Sequence, residues 1–270
     1  MSEDRISITI TDGVADVRMT RTDKRNALDN AMFMALAEAG ERLKSEPGVR
    51  VAVLSGAGAS FCAGLDLGSM TQLAGGGERP AEGNPGEMKE GRITHLGQQV
   101  AWVWQEVPVP VIAAVHGHAL GGGIQLALGA DIRIVHPDTQ MSVREVFWGL
   151  VPDMTGTFFL SQLVGADVAK ELVFTARIFD GREAKALGLA TKLSDNPYDD
   201  AMLLAREIAG RSPDAVRAAK QLMNGLYHQG AAEQFAAERA GIGSLIGRHN
   251  QKESVMSYFE KRSPNFTDPS

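Results

Sequence analysis

HGHALGGGIQLALGADI (residues 116–132) places three consecutive glycines directly before a short, strongly apolar stretch. A glycine run leaves the main chain bare, and a helix that begins there has N–H groups without intrahelical partners. A ligand group can therefore approach the backbone closely and meet the positive end of the helix dipole. The pattern indicates a place where negative charge is stabilised, although a tight packing turn between a strand and a helix would use the same glycines.

The commonest phosphate-binding forms of such a turn do not fit. Residues 121–126, GGGIQL, lack a glycine at the sixth place of G-x-G-x-x-G, and no glycine-rich segment continues into the G-K-[ST] of a P-loop. The G-x-S-x-G elbow of serine hydrolases is absent as well. The glycines therefore favour stabilisation of an oxyanion.

Strand and helix signals alternate on both sides of this turn. VIAAVHG (111–117) predicts a strand, IQLALGA (124–130) a short helix and DIRIV (131–135) a further strand. Upstream, VRVAVLSG (49–56) predicts another buried strand. This strand, turn, helix and strand order is typical of an α/β protein with a parallel sheet.

The N-terminal half also contains clear local signals. Apolar and polar residues alternate around the Asp-Gly pair at 12–13, which predicts a β-hairpin. Asp29 is placed to cap a helix that runs to about Ser45, and a second helix is predicted over residues 91–107. Residues 73–88, rich in Gly, Pro and Glu, predict a surface excursion with the weakest order in the chain.

Helical periodicity dominates the chain from Thr155 onward, and its last two segments cover residues 231–246 and 251–262. We expect a mixed α/β core over residues 1–195 and a helical C-terminal region over residues 196–270. A stripe of Ala, Leu and Met along these helices packs either on the core or on a neighbouring subunit, and the latter favours a homo-oligomer.

Composition excludes several classes of protein. The chain has 270 residues, of which 44% are apolar and 22% charged, so it is long enough for a full hydrophobic core. No apolar run approaches the roughly 20 residues of a membrane span, and no secretory or transit pattern opens the sequence, so we expect a cytoplasmic protein. The net charge of −6 argues against nucleic acid as a partner. Cys62, the single cysteine, is expected to be a small buried hydrophobe.

A second turn has the same character as the glycine run. SGAGASFCAGLDLGSM (55–70) follows its own strand and offers free N–H groups around residues 63–65. Two such turns in one sheet can each supply an N–H to a single carbonyl oxygen. With these segments the chain resembles the enoyl-CoA hydratase/isomerase, or crotonase, family. The resemblance extends to RNALD (25–29), REVFWGLVPDMTGTFFL (144–160), GREAKALGLA (181–190) and YFEKRSPNF (258–266).

The resemblance implies the ClpP/crotonase-like spiral: stacked β-β-α units that form two nearly perpendicular sheets, with C-terminal helices that cap the site and make homotrimers or hexamers. It implies an acyl-CoA substrate whose thioester carbonyl lies between the N–H groups of Leu65 and Gly122 and becomes an enolate. Because CoA enters with the substrate, no separate cofactor is expected. No metal is expected either: His116 and His118 lack a zinc spacing and are expected to pack or to bind backbone.

The residues expected to transfer protons are where this sequence departs most from the family's pattern. Hydratases of the family use two glutamates, of which Glu145 fills one position and Gln125 stands at the other, where a neutral amide cannot act as a base. Asp153 stands where the dienoyl-CoA isomerase branch carries an aspartate opposite the glutamate. That branch would also carry an acid at the position of Gln125. The pair favours double-bond isomerisation, and a one-glutamate shift of a 3-enoyl to a 2-enoyl thioester stays open.

Alternatives remain for these residues and for the function. Glu145 could be solvated or paired with Arg144, and Asp153 could cap a helix. Enoyl-CoA hydratase with Glu145 alone activating water is the first alternative function, and a thioester hydrolase is another. The missing acid at Gln125 also allows a weakly catalytic acyl-CoA-binding scaffold.

The resemblance further implies contacts to the CoA moiety from two loops and the C-terminus. Near that terminus the contact would often cross a subunit boundary. A few basic contacts to phosphate are compatible with a net acidic protein. The residues so implicated are Lys24, Arg25, Ala27, Ala63, Asp66, Leu67 and Lys261.

Overall fold

The chain opens with the β-hairpin that its Asp-Gly pair predicts. In the computed structural model, which describes residues 5–69, 84–88, 90–226 and 248–268, strands β1 (Ile6–Thr11) and β2 (Val14–Met19) pair antiparallel. Asp12 and Gly13 have φ of 50° and 78°. Both residues of the turn are therefore left-handed, as a tight two-residue hairpin requires, and the prediction is confirmed.

A six-stranded sheet forms the centre of the molecule. The strands that follow the hairpin in the described ranges are β3 (Val51–Gly56), β4 (Val111–Val115), β5 (His118–Leu120), β6 (Ile132–Val135), β7 (Gln140–Ser142) and β8 (Lys192–Leu193). Every pairing in the large sheet after the hairpin is parallel, and its order is β1-β2-β3-β4-β6-β8. The central strands are rich in Val, Ile and Ala because both of their faces are buried. A separate small parallel sheet pairs β5 with β7.

Capping residues set where the first two helices begin. Asp29 caps α1 (Asn30–Ser45) by accepting from the Met32 N–H at 2.8 Å, as predicted. Helix α2 (Leu96–Glu106) begins five residues later than predicted because His95 forms a reciprocal capping box with Gln98. The other helices among the described residues are α3 (Gly122–Leu128), α4 (Gly156–Leu163), α5 (Ala166–Thr175), α6 (Gly181–Leu187), α7 (Pro197–Ala209), α8 (Pro213–Gly225) and α9 (His249–Glu260).

Helices cover both faces of the sheet. On one face, α1 and α2 pack together around fully buried side chains such as Leu36 and Trp104. On the other face, α7 packs against β3, β4 and β6 through a row of alanines, Ala201, Ala205 and Ala209. The first helix after the boundary predicted at residues 195 and 196 is therefore part of the packing on the sheet, and the division into core and cap stays a prediction.

Some predictions fall outside the described residues. They are the weak order of the 73–88 segment, except for its last residues at 84–88, and the helix at 231–246. No helix within the described ranges is long and apolar enough to span a membrane. Cys62 is fully buried in the core, and burial raises the pKa of its thiol to about 12, so its prediction as a small hydrophobe is confirmed.

Candidate active site

The glycine turn, residues 121–123, connects the small sheet to α3. Gly121 has φ of 53° and ψ of −117°, a conformation that side-chain-bearing residues avoid, and its N–H donates to the Ser142 carbonyl at 2.9 Å. Gly122 is the first residue of the helix. Its N–H has no hydrogen-bond acceptor among the described residues, as expected at a helix N-terminus.

The donor segment, residues 62–66, lies between two neighbours. On one side Leu28 donates to the Gly64 carbonyl at 2.8 Å and accepts from the Asp66 N–H at 3.0 Å. This parallel bridge does not use the Leu65 N–H, which finds no acceptor in the part of the chain that the structure describes. On the other side Leu120 donates to the Cys62 carbonyl at 3.2 Å.

Close contact of main chain holds the glycine turn against the donor segment. Gly64 has φ of +91°, and a Cβ there would lie 2.5 Å from the Leu120 carbonyl oxygen. A Cβ on Gly123 would lie 2.2 Å from the Cys62 carbonyl oxygen. Glycine is therefore required on both sides of the contact. The structure brings together the two segments that carry the predicted donors, Leu65 and Gly122.

Gln125 is fully buried on α3, and its side chain is fixed from both ends. The carboxamide oxygen accepts from the Met154 N–H at 3.0 Å and the Gly156 N–H at 2.9 Å. The carboxamide nitrogen donates to Glu145 Oε1 at 2.5 Å. Because two main-chain donors require an acceptor, the orientation of the amide follows from the backbone. Gln125 therefore presents a donor to Glu145.

Glu145 is the buried carboxylate of the site, with 8% of its surface exposed. A Cβ on Gly121 would lie 3.3 Å from Glu145 Oε1, so this carboxylate lies beside the glycine turn. Its Oε2 is buried and has no partner among the described residues. Burial raises the pKa of Glu145 to about 7, hydrogen bonds from its own N–H and from Gln125 oppose the rise, and the negative charge of Asp153 adds to it.

Asp153 is exposed and close enough to Glu145 to raise its pKa. The alternative that Asp153 caps a helix is wrong, because α4 begins at Gly156 and its N-cap is Thr155. The alternative that Arg144 pairs with Glu145 is also wrong. The Arg144 guanidinium donates to the Ala176 carbonyl at 3.0 Å and lies 4.0 Å from the ring centroid of Phe147.

Some of the predicted CoA contacts in the two loops are exposed to solvent, and others already make hydrogen bonds within the protein. Lys24, Arg25 and Leu67 are exposed. Ala27 is buried, and its N–H and carbonyl bind Lys24 and Arg21, while the Ala63 N–H donates to the Arg25 carbonyl at 3.0 Å. The main-chain amides of the two predicted alanine contacts are therefore occupied within the protein.

Asp66 has a structural partner that the sequence does not indicate. Its Oδ2 accepts from Arg21 at 2.7 Å and its Oδ1 from the Gly68 N–H at 2.8 Å. Burial opposes ionisation, but the hydrogen bond and charge of Arg21 hold the pKa of Asp66 below its ordinary value. No spacing rule links Arg21 to Asp66, because they lie in loops after different strands.

Lys261 is not brought to the loops of Lys24 and Arg25 by any contact within the described chain. It is exposed and follows α9, which packs on α8, and Asp268 near the chain's end binds Arg50 at 2.8 Å beside the start of β3. The donor segment follows the opposite end of that strand. A contact from Lys261 across a subunit boundary stays a prediction.

The two histidines of the glycine-rich stretch make hydrogen bonds within the protein, and that of His116 is to backbone, one of the two roles predicted. His116 Nε2 lies 2.9 Å from the Gly58 carbonyl, and His118 Nδ1 lies 2.8 Å from Ser60 Oγ. Within the described ranges no three His, Cys, Asp or Glu side chains are grouped so that they could hold a metal ion.

Comparison with known proteins agrees with this geometry. The family model described as enoyl-CoA hydratase/isomerase matches residues 9–269. The chain belongs to the enoyl-CoA hydratase/isomerase family. It is 33% identical over 261 residues to the mouse mitochondrial methylglutaconyl-CoA hydratase, covering 94% of this chain and 79% of that protein. It is 32% identical to a putative enoyl-CoA hydratase of Thermus thermophilus, covering 94% of this chain and 97% of the relative.

A solved structure extends the likeness to the fold. A probable enoyl-CoA hydratase/isomerase from Mycobacterium abscessus superposes with a TM-score of 0.87 at 29% identity, covering 98% of this chain and 99% of the other. The crotonase fold predicted from the sequence is confirmed. As a member of the enoyl-CoA hydratase/isomerase family, the chain is an enzyme of acyl-CoA substrates. The named relatives are hydratases, so the family does not by itself decide between hydration and isomerisation.

Proposed function

We propose that the protein is a double-bond isomerase of unsaturated acyl-CoA thioesters that works through a thioester enolate. The observation that carries this proposal is the arrangement of Glu145 and Gln125: one buried carboxylate with a pKa of about 7 beside a neutral amide whose three hydrogen bonds are all made within the protein. A carboxylate with such a pKa can both accept and return a proton near neutral pH. Gln125 has no capacity to act as the second base.

The reaction needs two donors and one proton carrier in its simplest form. The thioester carbonyl accepts hydrogen bonds from the Leu65 and Gly122 N–H groups, each worth on the order of 3 kcal/mol as charge develops. Glu145 removes a proton from C2 of a 3-enoyl thioester, and the electron pair moves to the carbonyl oxygen. Return of the proton at C4 gives the 2-enoyl thioester. No electrons are gained or lost, so the proton transfers require no redox cofactor.

Asp153 extends this chemistry to a longer conjugated system. In a 3,5-dienoyl thioester, removal of the C2 proton by Glu145 and protonation at C6 gives the 2,4-dienoyl product. Asp153 is close enough to act electrostatically on Glu145, and it is exposed to solvent. We propose Asp153 as the group that protonates the far end, in an oligomer of three or six copies whose tail helices close the site.

Enoyl-CoA hydratase is the second candidate. The relatives named above are hydratases, and the unpartnered Oε2 of Glu145 could hold a water molecule. In that reaction Glu145 would take a proton from water as the oxygen adds to C3 of a 2-enoyl thioester, with protonation at C2.

Ultraviolet assays of 3-enoyl, 3,5-dienoyl and 2-enoyl thioesters distinguish these functions. We expect wild type to isomerise the first two substrates and to hydrate the third slowly. Glu145→Gln should lower both isomerisations by about 10² to 10⁴-fold. Asp153→Asn should lower only the dienoyl reaction by a comparable factor.

Three outcomes would contradict the proposal. Fast hydration that depends on Glu145, without isomerisation, would establish the hydratase. Release of free thiol would indicate a thioester hydrolase. Tight acyl-CoA binding with no turnover of any of the three substrates would indicate a binding scaffold.

A further inference from the structure

Arg21 connects the two loops on either side of the donor segment. Its side chain is 12% exposed, and its Nη1 donates to Asp66 Oδ2 at 2.7 Å and to the Ala27 carbonyl at 3.1 Å. Its Nη2 lies 3.4 Å from Asp29 Oδ2. One rigid guanidinium therefore holds the loop before α1 and the residue that follows Leu65 in a fixed relation.

The Leu65 peptide is bracketed by groups that this contact holds. Leu28 binds the main chain of Gly64 on one side of Leu65 and of Asp66 on the other. The Asp66 side chain is in turn fixed by Arg21 and by the N–H groups of the turn that follows, at 2.8 Å to Gly68 and 3.3 Å to Ser69. The direction of the free Leu65 N–H is therefore set by its neighbours and not by an acceptor of its own.

Charge gives a second reason for the contact. Asp66 is ionised, since Arg21 lowers its pKa, and it directly follows the residue whose N–H is the proposed oxyanion donor. An unpaired negative charge there would oppose the negative charge that develops on the thioester oxygen. The guanidinium of Arg21 neutralises this carboxylate.

We propose that Arg21 is a positioning residue for the Leu65 donor, acting through Asp66. The inference rests on the proposed role of Leu65 and Gly122 as oxyanion donors, but not on whether the reaction is isomerisation or hydration. A preorganised donor gains its effect from being held in place before charge develops. Loosening it should lower turnover more than it lowers substrate binding.

Arg50 offers a matched control at the far end of β3. Its guanidinium makes three contacts, as that of Arg21 does, but with one carboxylate, Asp268 at 2.8 Å, and two carbonyls, Phe266 at 3.1 Å and Ala209 at 3.4 Å. Its side chain is 22% exposed. Replacing it removes a comparable set of interactions without touching the loops around Leu65.

The direct test is the infrared carbonyl stretch of butyryl-CoA labelled with ¹³C at the thioester carbon. This saturated substrate analogue has no double bond to move or hydrate, and hydrogen bonds to its carbonyl lower the stretching frequency. We expect a downshift on binding to wild type and to Arg50→Met, about half that downshift or less with Arg21→Met, and an intermediate value with Arg21→Lys. With a reactive substrate, Arg21→Met should lower kcat by about 10- to 100-fold and change KM by roughly threefold or less.

The outcomes separate this inference from the proposed function. If the carbonyl of butyryl-CoA bound to wild type shows no downshift, the donors do not meet the thioester and both proposals fall. If wild type shows the downshift and Arg21→Met shows the same one, Arg21 is structural only and the proposed function stands. If Arg21→Met does not fold, Arg21→Lys decides, and a full wild-type downshift in that variant overturns the inference.

Discussion

Glu145 shares one of its carboxylate oxygens with Gln125, whose nitrogen donates across 2.5 Å, and keeps the other buried and unpartnered among the described residues. The Gln125 amide cannot flip to exchange its oxygen and nitrogen, because the oxygen accepts from the N–H groups of Met154 and Gly156. The two carboxylate oxygens therefore have different roles. Oε1 is held by Gln125, and in the proposed reaction Oε2 is the atom that exchanges a proton with the substrate.

Replacing Gln125 with glutamate should couple two carboxyl groups. In Gln125→Glu one oxygen would still accept from the two main-chain N–H groups, and the other would face Glu145 Oε1 without an N–H between them. Two carboxylates at such a distance hold one proton between them, which raises the upper apparent pKa of the pair. We expect the acidic limb of the pH–rate profile for the 3-enoyl substrate to move to higher pH.

The double variant Gln125→Glu with Glu145→Gln is the control for this prediction. It restores one carboxylate and one amide in exchanged positions, so the coupling should disappear. A profile for Gln125→Glu that coincides with wild type would mean that the two side chains do not face each other as described.

The raised pKa of Glu145 predicts the pH dependence of the wild-type reaction. The ionised form is the one that removes a proton, so kcat/KM should rise with pH and reach half of its maximum near pH 7. Asp153→Asn removes a negative charge that contributes to the raised pKa, so its acidic limb should lie at lower pH. Rates of the 3-enoyl shift between pH 5 and 9 check both statements, and a midpoint near the ordinary glutamate value would contradict the burial of this carboxyl group.

The raised pKa of Glu145 also makes the stability of the fold depend on pH, and stability should fall over the range in which activity rises. Glu145 binds its proton more tightly in the folded state, so its contribution is present below its ordinary pKa of 4.5 and is lost as pH rises through about 7. Relative to Glu145→Gln, wild type should lose about 3 kcal/mol of unfolding free energy between pH 4.5 and pH 7.5. Urea unfolding of both proteins at fixed concentration measures this, and a constant difference across the range would contradict it.

Local signals account for the parts of the fold that were predicted from sequence. The Asp-Gly pair at 12–13 favours a tight turn, and the Asp29 side chain accepts from the N–H of Met32, three residues along the chain. The glycine turn was also predictable, because three consecutive glycines directly before an apolar helix leave the main chain bare, whether it binds a ligand or packs tightly. Each of these signals acts between residues that are neighbours in the chain.

The interactions that define the site act over long sequence distances and have no such signal. Gln125 was recognisable as a departure from the family's pattern, but nothing in the sequence places its oxygen against the N–H groups of Met154 and Gly156. The link from Arg21 to Asp66 spans 45 residues. The pKa of Glu145 depends on burial, which is a property of the packed molecule. Strands as short as β7 and β8 carry too few residues for a periodic pattern.

Lys220 predicts a stability effect that should leave the site unchanged. Its side chain is 7% exposed, and its ammonium binds Asp131 at 2.8 Å, the Trp104 carbonyl at 2.7 Å and the Val109 carbonyl at 3.0 Å, beside the start of β4. Lys220→Met would leave these three acceptors without the cation, which should lower the unfolding free energy by about 3 to 5 kcal/mol.

The control for Lys220 is an exposed ion pair. Lys192→Met removes a contact of 3.1 Å to Asp200 and should cost less than about 1 kcal/mol. Urea unfolding compares the two variants, and kcat/KM per folded molecule should equal wild type in both. A change in kcat/KM for Lys220→Met would show that the start of β4 is coupled to the glycine turn, which follows β4 and β5 in the chain.

Gly122→Ala tests the proposed donor pair with the smallest possible change. Gly122 is not among the residues with positive φ, so alanine is conformationally allowed and the effect is steric. The new Cβ would lie 2.7 Å from Leu28 Cδ1 and 2.8 Å from Met154 Sδ, so both side chains must shift. Leu28 holds the main chain on both sides of Leu65, and the Met154 N–H holds Gln125. We therefore expect kcat to fall by about 10²-fold with a loss of unfolding free energy of roughly 1 to 3 kcal/mol.

Gly210 and Gly123 provide controls for the Gly122→Ala variant. At Gly210 an added Cβ would lie 3.4 Å from its nearest neighbour, the Glu207 carbonyl oxygen, so Gly210→Ala should match wild type in both stability and turnover. At Gly123 it would lie 2.2 Å from main chain, the Cys62 carbonyl oxygen, which cannot give way as a side chain can, so Gly123→Ala should fold poorly. If Gly122→Ala turns over at the wild-type rate, Leu28 and Met154 yield without moving the groups they hold. The Leu65 and Gly122 N–H groups would then not be the positions on which catalysis depends.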